Sequence, residues 1–344
     1  MVMKRGCVIG YDINEKGCQI SYYDDSMEEP DTMMASSNNY LIPLVLGYFK
    51  DRWVFGKEAK RLAVVGEDCT ETDLYGKAKR REKVSLAGKT YDAVWLLAKY
   101  ISLTLQDFEN IQYLTFTTPE TDVDMAKMLK GIGQHIGVDK EIINVQDYKE
   151  SFCQYMIFQP KELWQYEAAL FYCDEDVIRA YMLRELKNSS QKSRESFVTV
   201  DKVADARMEE LEAVYPVLHV EKAKAADEHF KRFIQSVFNK KMISSVFLTG
   251  DGFENNWYPN SLRVLCNGRR AFMGNNLYSK GACYTAQRRK EEQSDAPVYL
   301  DETKLTEQIS VRMRVNGEEG WYPLVSWGNH WYESDRQFEV CLLY

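Results

Sequence analysis

Apolar positions recur along the chain with two periods, and the order in which the periods alternate predicts the architecture. Residues 7–12 form an apolar run that enters a Gly-x-Asp turn, and residues 18–23 alternate after a short polar turn ending at Gly17. Two such runs about a turn predict a β-hairpin. An acidic, polar loop is expected over 24–39, then a second strand pair at 42–48 and 52–56 around Lys50-Asp51, then a helix over 57–63. Residues 66–90 are polar. Helical spacing follows at Val94, Leu97, Ala98, Ile101, Leu105 and Phe108. It returns at Met125, Met128, Leu129, Ile132 and Ile136, with Gly137 as a C-terminal stop. Short strands are predicted at 113–117 and 142–145. This succession of hairpin, helix, strand, helix and strand predicts an α/β lobe with helices packed on a mixed sheet.

The next passage repeats the style. Strands at 168–173 and 177–183 flank the turn Asp174-Glu175-Asp176, and 187–196 read as a loop. Helices are expected at 203–213 and at 223–238, where Ala226, Phe230, Phe233, Ile234 and Val237 share a face. A strand at 246–249 enters Gly250-Asp251-Gly252. Paired α/β halves leave a crevice between them in which a ligand sits. From residue 296 the pattern is β only, with strands at 308–315 and 321–327 about Asn316-Gly317. Residues 338–344 read as a strand without a polar tail, as though the chain stops inside a larger unit. The expected division is a first lobe over 1–155, a second over 156–292 and a small β-rich segment over 293–344. Trp321, Tyr322, Trp327, Trp331 and Tyr332 make that segment aromatic. Buried, they form the core of a small β unit; exposed, they form a surface for a protein partner.

Composition narrows the class. The 344 residues are 45% hydrophobic and 28% charged, which excludes a disordered, collagen-like or coiled-coil chain. A formal net charge of −8 argues against a nucleic-acid partner, whose binding comes mainly from neutralised phosphates. No stretch has the length of a membrane span, and the first residues lack the apolar run of a signal peptide, so no membrane association and a cytoplasmic location are expected. The cysteines at 7, 18, 69, 153, 173, 266, 283 and 341 form no CxxC pair and read as reduced thiols. The histidines are scattered and give no support to a metal site. The charge run over 77–83 reads as a solvated face.

Several segments, taken in order, resemble the superfamily of actin, heat-shock-protein-70 chaperones and sugar kinases, most closely the heat-shock-protein-70 nucleotide-binding domain. Val8-Ile9-Gly10-Tyr11-Asp12 is similar to its first phosphate hairpin. Ile42-Pro43-Leu44-Val45 with Phe55-Gly56-Lys57-Glu58-Ala59 is similar to its Ile-Pro-Ser strand and the helix start that follows. Residues 113–119, the helix over 122–136 and Gly137 resemble its strand-Pro-helix-Gly unit. Glu150-Ser151-Phe152 matches a segment between lobes, residues 246–252 match its adenosine strand and turn, and Ser279-Lys280-Gly281-Ala282 matches its terminal helix. The likeness spans roughly residues 6–290. It implies a two-lobed, actin-like ATPase fold, a duplicated ribonuclease H-like unit, with a small C-terminal β appendage.

The resemblance also implies a site. In that superfamily two hairpin turns cradle the phosphates of ATP on bare backbone N–H groups, and an Asp in each turn orients Mg²⁺. Carried over residue by residue, Gly10, Asp12 and Asn14 come from the first turn, Asp174 from the second, and Gly250 and Gly252 from the adenosine turn, with Asp12 toward the metal. Lys79 is the nearest match to a phosphate-proximal lysine. Ile13-Asn14-Glu15 replaces the small residues of the first turn, and Asp174-Glu175-Asp176 has no glycine. Carboxylates placed there repel a polyphosphate. Without a ligand, Asp12 caps a tight turn, the acidic turn is a solvated hairpin, and the glycines serve a strand-to-helix turn. The expectation is a regulatory or scaffolding module with weak or no nucleotide binding. The alternative is an active ATPase or chaperone of the same superfamily; a sugar-kinase-like phosphotransferase has the least support.

Overall fold

A computed structural model describes residues 4–36, 39–65, 69–186, 196–212, 219–291, 297–305, 308–315, 317–325, 328 and 330. The chain is mixed α/β and is built on two six-stranded sheets.

The first sheet is organised by β1 (Val8–Ile13), every residue of which is buried. β1 is antiparallel to β2 (Gly17–Tyr23), which continues to β3 (Asp31–Thr32). On its other side β1 is parallel to β4 (Tyr113–Thr118), and β4 is parallel to β5 (Ile143–Asp147). The second sheet repeats this plan. β6 (Glu167–Asp174) is antiparallel to β7 (Val177–Leu186), which pairs antiparallel with β8 (Phe197–Arg207). β6 is also parallel to β9 (Ile243–Thr249), and β9 to β10 (Arg270–Met273). β11 (Val298–Tyr299) adds a parallel edge beside β8.

Local chemistry explains the helices. α1 (Gly56–Val65) follows the hairpin whose turn places Lys50 and Asp51 at positive φ. α2 (Leu74–Lys79) precedes α3 (Ala93–Thr104), whose first N–H groups are capped by Asp92. α4 (Val123–His135) is capped by Asp122 and ends at Gly137, which has φ +94°. α3 and α4 cover one face of the first sheet through Leu97, Ile101, Leu129 and Ile132. α6 (Val220–Phe238) and α7 (Pro259–Leu265) cover the outer face of the second sheet through Phe230, Ile234 and Leu265.

Between the sheets run α5 (Tyr148–Ile157) and α8 (Leu277–Lys290), and they exchange partners. α5 leaves the first sheet yet buries Phe152, Cys153 and Met156 against Ala168, Leu170 and Phe247 of the second. α8 leaves the second sheet yet packs Cys283 and Ala286 on Val8 of the first. Missing side chains permit this. A Cβ on Gly10 would meet the Ser279 carbonyl oxygen at 2.1 Å, and one on Gly281 would meet the Ser151 carbonyl oxygen at 1.9 Å. The chain therefore crosses between its halves twice.

Two sequence expectations change. The helix expected over 203–213 is the strand β8 followed by a single turn, Glu209–Glu212, because ten ladder pairs to β7 override local helical preference. Within the polar stretch 66–90 lie the strand Thr70–Glu71, α2 and the hairpin strand Lys83–Leu86. The segment expected to begin at 293 first completes the second sheet through β11. It then forms the hairpin of β12 (Ile309–Val315) and β13 (Glu318–Val325). Trp321 on that hairpin is 72% exposed, which is not the position of a core residue. Trp327, Trp331, Tyr332 and residues 338–344 lie outside the described residues, as do 187–195 of the expected loop.

Candidate functional site

The β1–β2 turn, the β6–β7 turn and the loop after β9 converge on one cleft of about 770 Å³, whose lining includes Asn14, Lys16, Asp174, Gly250 and Asp251. Equivalent strands of the two sheets carry these turns, and the sheets are set so that all three enter the same crevice.

Asp12, the residue before the end of β1, has 4% of its surface exposed. The Tyr148 hydroxyl donates to Asp12 Oδ1 at 2.7 Å and accepts from Asn14 Nδ2 at 3.0 Å. Burial pushes the Asp12 carboxyl up to about 7, partly offset by the Tyr148 hydrogen bond. Asn14 also fixes the turn: its Oδ1 accepts from the backbone N–H of Lys16 at 2.9 Å and of Gly17 at 3.2 Å. Tyr148 in turn stacks on Tyr278 of α8, with ring centroids 3.7 Å apart and planes at 6°, and meets Tyr172 edge-on. A wall of phenol rings thus stands beneath the first turn.

Lys16 projects from that turn across the crevice. Its Nζ lies 2.7 Å from Asp174 Oδ1 and 2.6 Å from Asp251 Oδ2, joining all three loops. Partial burial acts to lower the ammonium pKa, but the hydrogen bonds and charges of Asp174 and Asp251 outweigh it and hold the proton more tightly than usual. The acidic turn is therefore largely compensated. Asp174 is paired with Lys16, and the buried Asp176 is paired with Arg207 Nε at 2.6 Å. Glu175 occupies the left-handed region, at φ 53°.

The glycines serve packing. Gly10 lies within β1 against the α8 backbone. Gly250, at φ +95°, leaves room for the Cys173 carbonyl, which a Cβ would meet at 2.1 Å; a Cβ on Gly252 would meet Cys173 Sγ at 2.1 Å. Their open faces are filled by the neighbouring hairpin. Lys79 does line the cleft, as do Lys149 and Arg179.

Of the residues that the resemblance singled out, Asp12, Asn14, Asp174 and Gly250 line the cleft while Gly10 and Gly252 do not, and the residues that close it, Lys16, Tyr148 and Tyr278, were missed. A signal for Lys16 was present, since a lone cation in the first turn faces an acidic second turn. Tyr148 gave none, being one tyrosine among 22.

The residues do not fit a Mg²⁺–triphosphate group. The carboxylate that would order the metal's waters is buried and hydrogen-bonded to a phenol. An ammonium group already bridges the acidic loops, and Cys173 takes the space beside Gly250 and Gly252 into which a Cβ would point. Among the described residues, no group of three or more His, Cys, Asp or Glu side chains is arranged to hold a metal ion.

Fold and site together define a mixed α/β protein with a duplicated sheet plan and a cleft bridged by its own side chains. The chain belongs to the family described as family of unknown function (DUF5716) C-terminal, which matches residues 29–302. A domain of unknown function (DUF8552) matches residues 304–343, the part that contains the exposed hairpin. Comparison with curated proteins finds no match.

Proposed function

We propose that the protein is a divergent member of the actin and heat-shock-protein-70 superfamily that acts as a cytoplasmic regulatory or scaffolding module, with weak or no nucleotide binding. The repeated strand order, the hairpin turns facing one crevice and the exchange of α5 and α8 between sheets support the two-lobed, duplicated fold. The observation that carries the functional reading is Lys16 bridging Asp174 and Asp251, directly beside an Asp12 capped by Tyr148. An internal cation satisfies the carboxylates that an external one would otherwise serve. Among the described residues the cysteines, buried except for Cys266, fit a reducing compartment. A module without turnover works through surfaces, and the exposed Trp321 hairpin is one surface on which a protein partner has an aromatic anchor.

One observation favours the rival reading of an active ATPase or chaperone: the cleft remains large enough for a small ligand. Calorimetric titration with ATP and Mg²⁺, together with phosphate release, separates the two. No saturable binding up to millimolar ATP is the expected result. Saturable binding with turnover that disappears in Asp12→Asn would establish the rival and overturn the proposal.

A further inference from the structure

Above the first sheet, the covering helices α3 and α4 leave a groove of about 420 Å³ between them. Its floor is apolar, formed by Trp95, Ala98, Met128 and Ile132, and its rim carries Arg81, Lys127 and His135. The carboxylate that borders it, Asp92, is engaged as the cap of α3, accepting the N–H groups of Val94 and Trp95.

Two independent observations point to an occupant. Trp95 is 38% exposed yet held rigidly, stacked on Tyr91 at 5.5 Å and tilted against Trp53 at 5.8 Å. It is a fixed aromatic anchor without a cover. Gly131 lies inside α4 on the groove side, and a Cβ there would meet none of the described residues within 4 Å. Glycine in a helix interior is destabilising relative to alanine. Two residues away, Gly133 is required by the chain itself, because a Cβ would lie 2.6 Å from Ile143 Cδ1. Internal packing makes no such demand at Gly131. The missing side chain leaves the groove floor open instead.

Charge defines the occupant. The basic run over 77–83 divides. Lys77 is paired with Glu71, and Arg80 with Asp73 and Glu82. Arg81, at φ 56°, lines the groove. Among the described residues neither Arg81 nor Lys127 has a carboxylate partner. In a chain of net charge −8, this is a cationic rim around an apolar floor.

We infer that the α3–α4 groove docks a short acidic, amphipathic segment of a partner protein. A bulky apolar side chain seats on Trp95 over Gly131, and its carboxylates face Arg81, Lys127 and His135. A few cations around an apolar floor suit a peptide better than a nucleic acid, which calls for a longer track of phosphate contacts. The inference rests on the binding-module reading for its purpose, but it concerns a surface separate from the cleft.

The test is fluorescence anisotropy of the full chain with a labelled amphipathic peptide of about four helical turns, Leu and Phe on one face and Asp and Glu on the other. A counterpart with Lys at the acidic positions and a labelled oligo-dT serve as controls. Saturable binding of the acidic peptide at about 100 μM or tighter is expected, with none of the Lys peptide. Binding should weaken at least about tenfold in Gly131→Leu, which fills the floor, and in the double variant Arg81→Glu/Lys127→Glu. The double variant changes only exposed side chains, so it carries the test if Gly131→Leu fails to fold. No saturation by about 1 mM, equal binding of the Lys peptide, insensitivity to the folded variants, or binding of oligo-dT in place of the peptide would each overturn the inference. ATP titration of the same preparations reads the cleft separately, so failure of one reading is distinguishable from failure of the other.

Discussion

Asp12→Asn isolates the electrostatic state of the cleft in a single atom exchange. The carboxyl is buried and sits at about 7 in the folded chain against 3.8 ordinarily. Folding therefore favours the protonated form. Stability from this group is fully present below about pH 4, is lost as pH rises toward 7, and is level above that. At about 1.4 kcal/mol per tenfold change, the full span corresponds to a ceiling on the order of 4 kcal/mol. Asparagine keeps an oxygen to accept the Tyr148 hydroxyl but has no charge to bury. The variant should match the wild type in stability at about pH 4 and below, and exceed it by about 2–4 kcal/mol at pH 8. Urea unfolding at stepped pH values, with the m-value checked for constancy, measures this. A stability difference that does not change between pH 5 and pH 8 would mean that Asp12 titrates as a solvated carboxylate. The cleft would then be open to an external cation, and the closed-site reasoning would fail.

Gly10→Ala forces a Cβ into the α8 backbone and should cost about 3 kcal/mol or more, whereas Gly131→Ala should stabilise by about 0.5–1 kcal/mol; paired thermal melts check both. Asp227, buried in α6, accepts the N–H groups of Asn260 and Ser261 and the Ser261 hydroxyl at the start of α7, so Asp227→Ala should cost about 2–4 kcal/mol by urea unfolding. Lys304 and Glu150 form an ion pair at 2.6 Å with side chains only 7% and 9% exposed. Lys304→Met should destabilise by about 3–5 kcal/mol, and adding Glu150→Gln should recover part of the loss in the same assay. Lys16→Met removes ion pairs whose members are all more than a third exposed, so it should cost only about 1 kcal/mol, a loss that shrinks in high salt.

The sequence by itself determined the elements whose periodicity is strong. The hairpins about residues 14–16 and 50–51, the face of Ala226, Phe230, Phe233, Ile234 and Val237, and the stop at Gly137 all follow from spacing and turn chemistry that act within a few residues. The resemblance further grouped the turns at Asp12, Asp174 and Gly250, which do meet. Tertiary structure decided the rest. Residues 203–207 became strand because β7 offered a full ladder, and Gly10, Gly250 and Gly281 serve close backbone approaches that no local pattern reveals. The cleft was decided last, by Lys16 reaching 158 positions along the chain to Asp174 and Tyr148 reaching back to Asp12. Such contacts depend on how two sheets are set against each other. A side chain's reach across that gap is a property of the assembled fold, whereas period and capping are properties of the local chain.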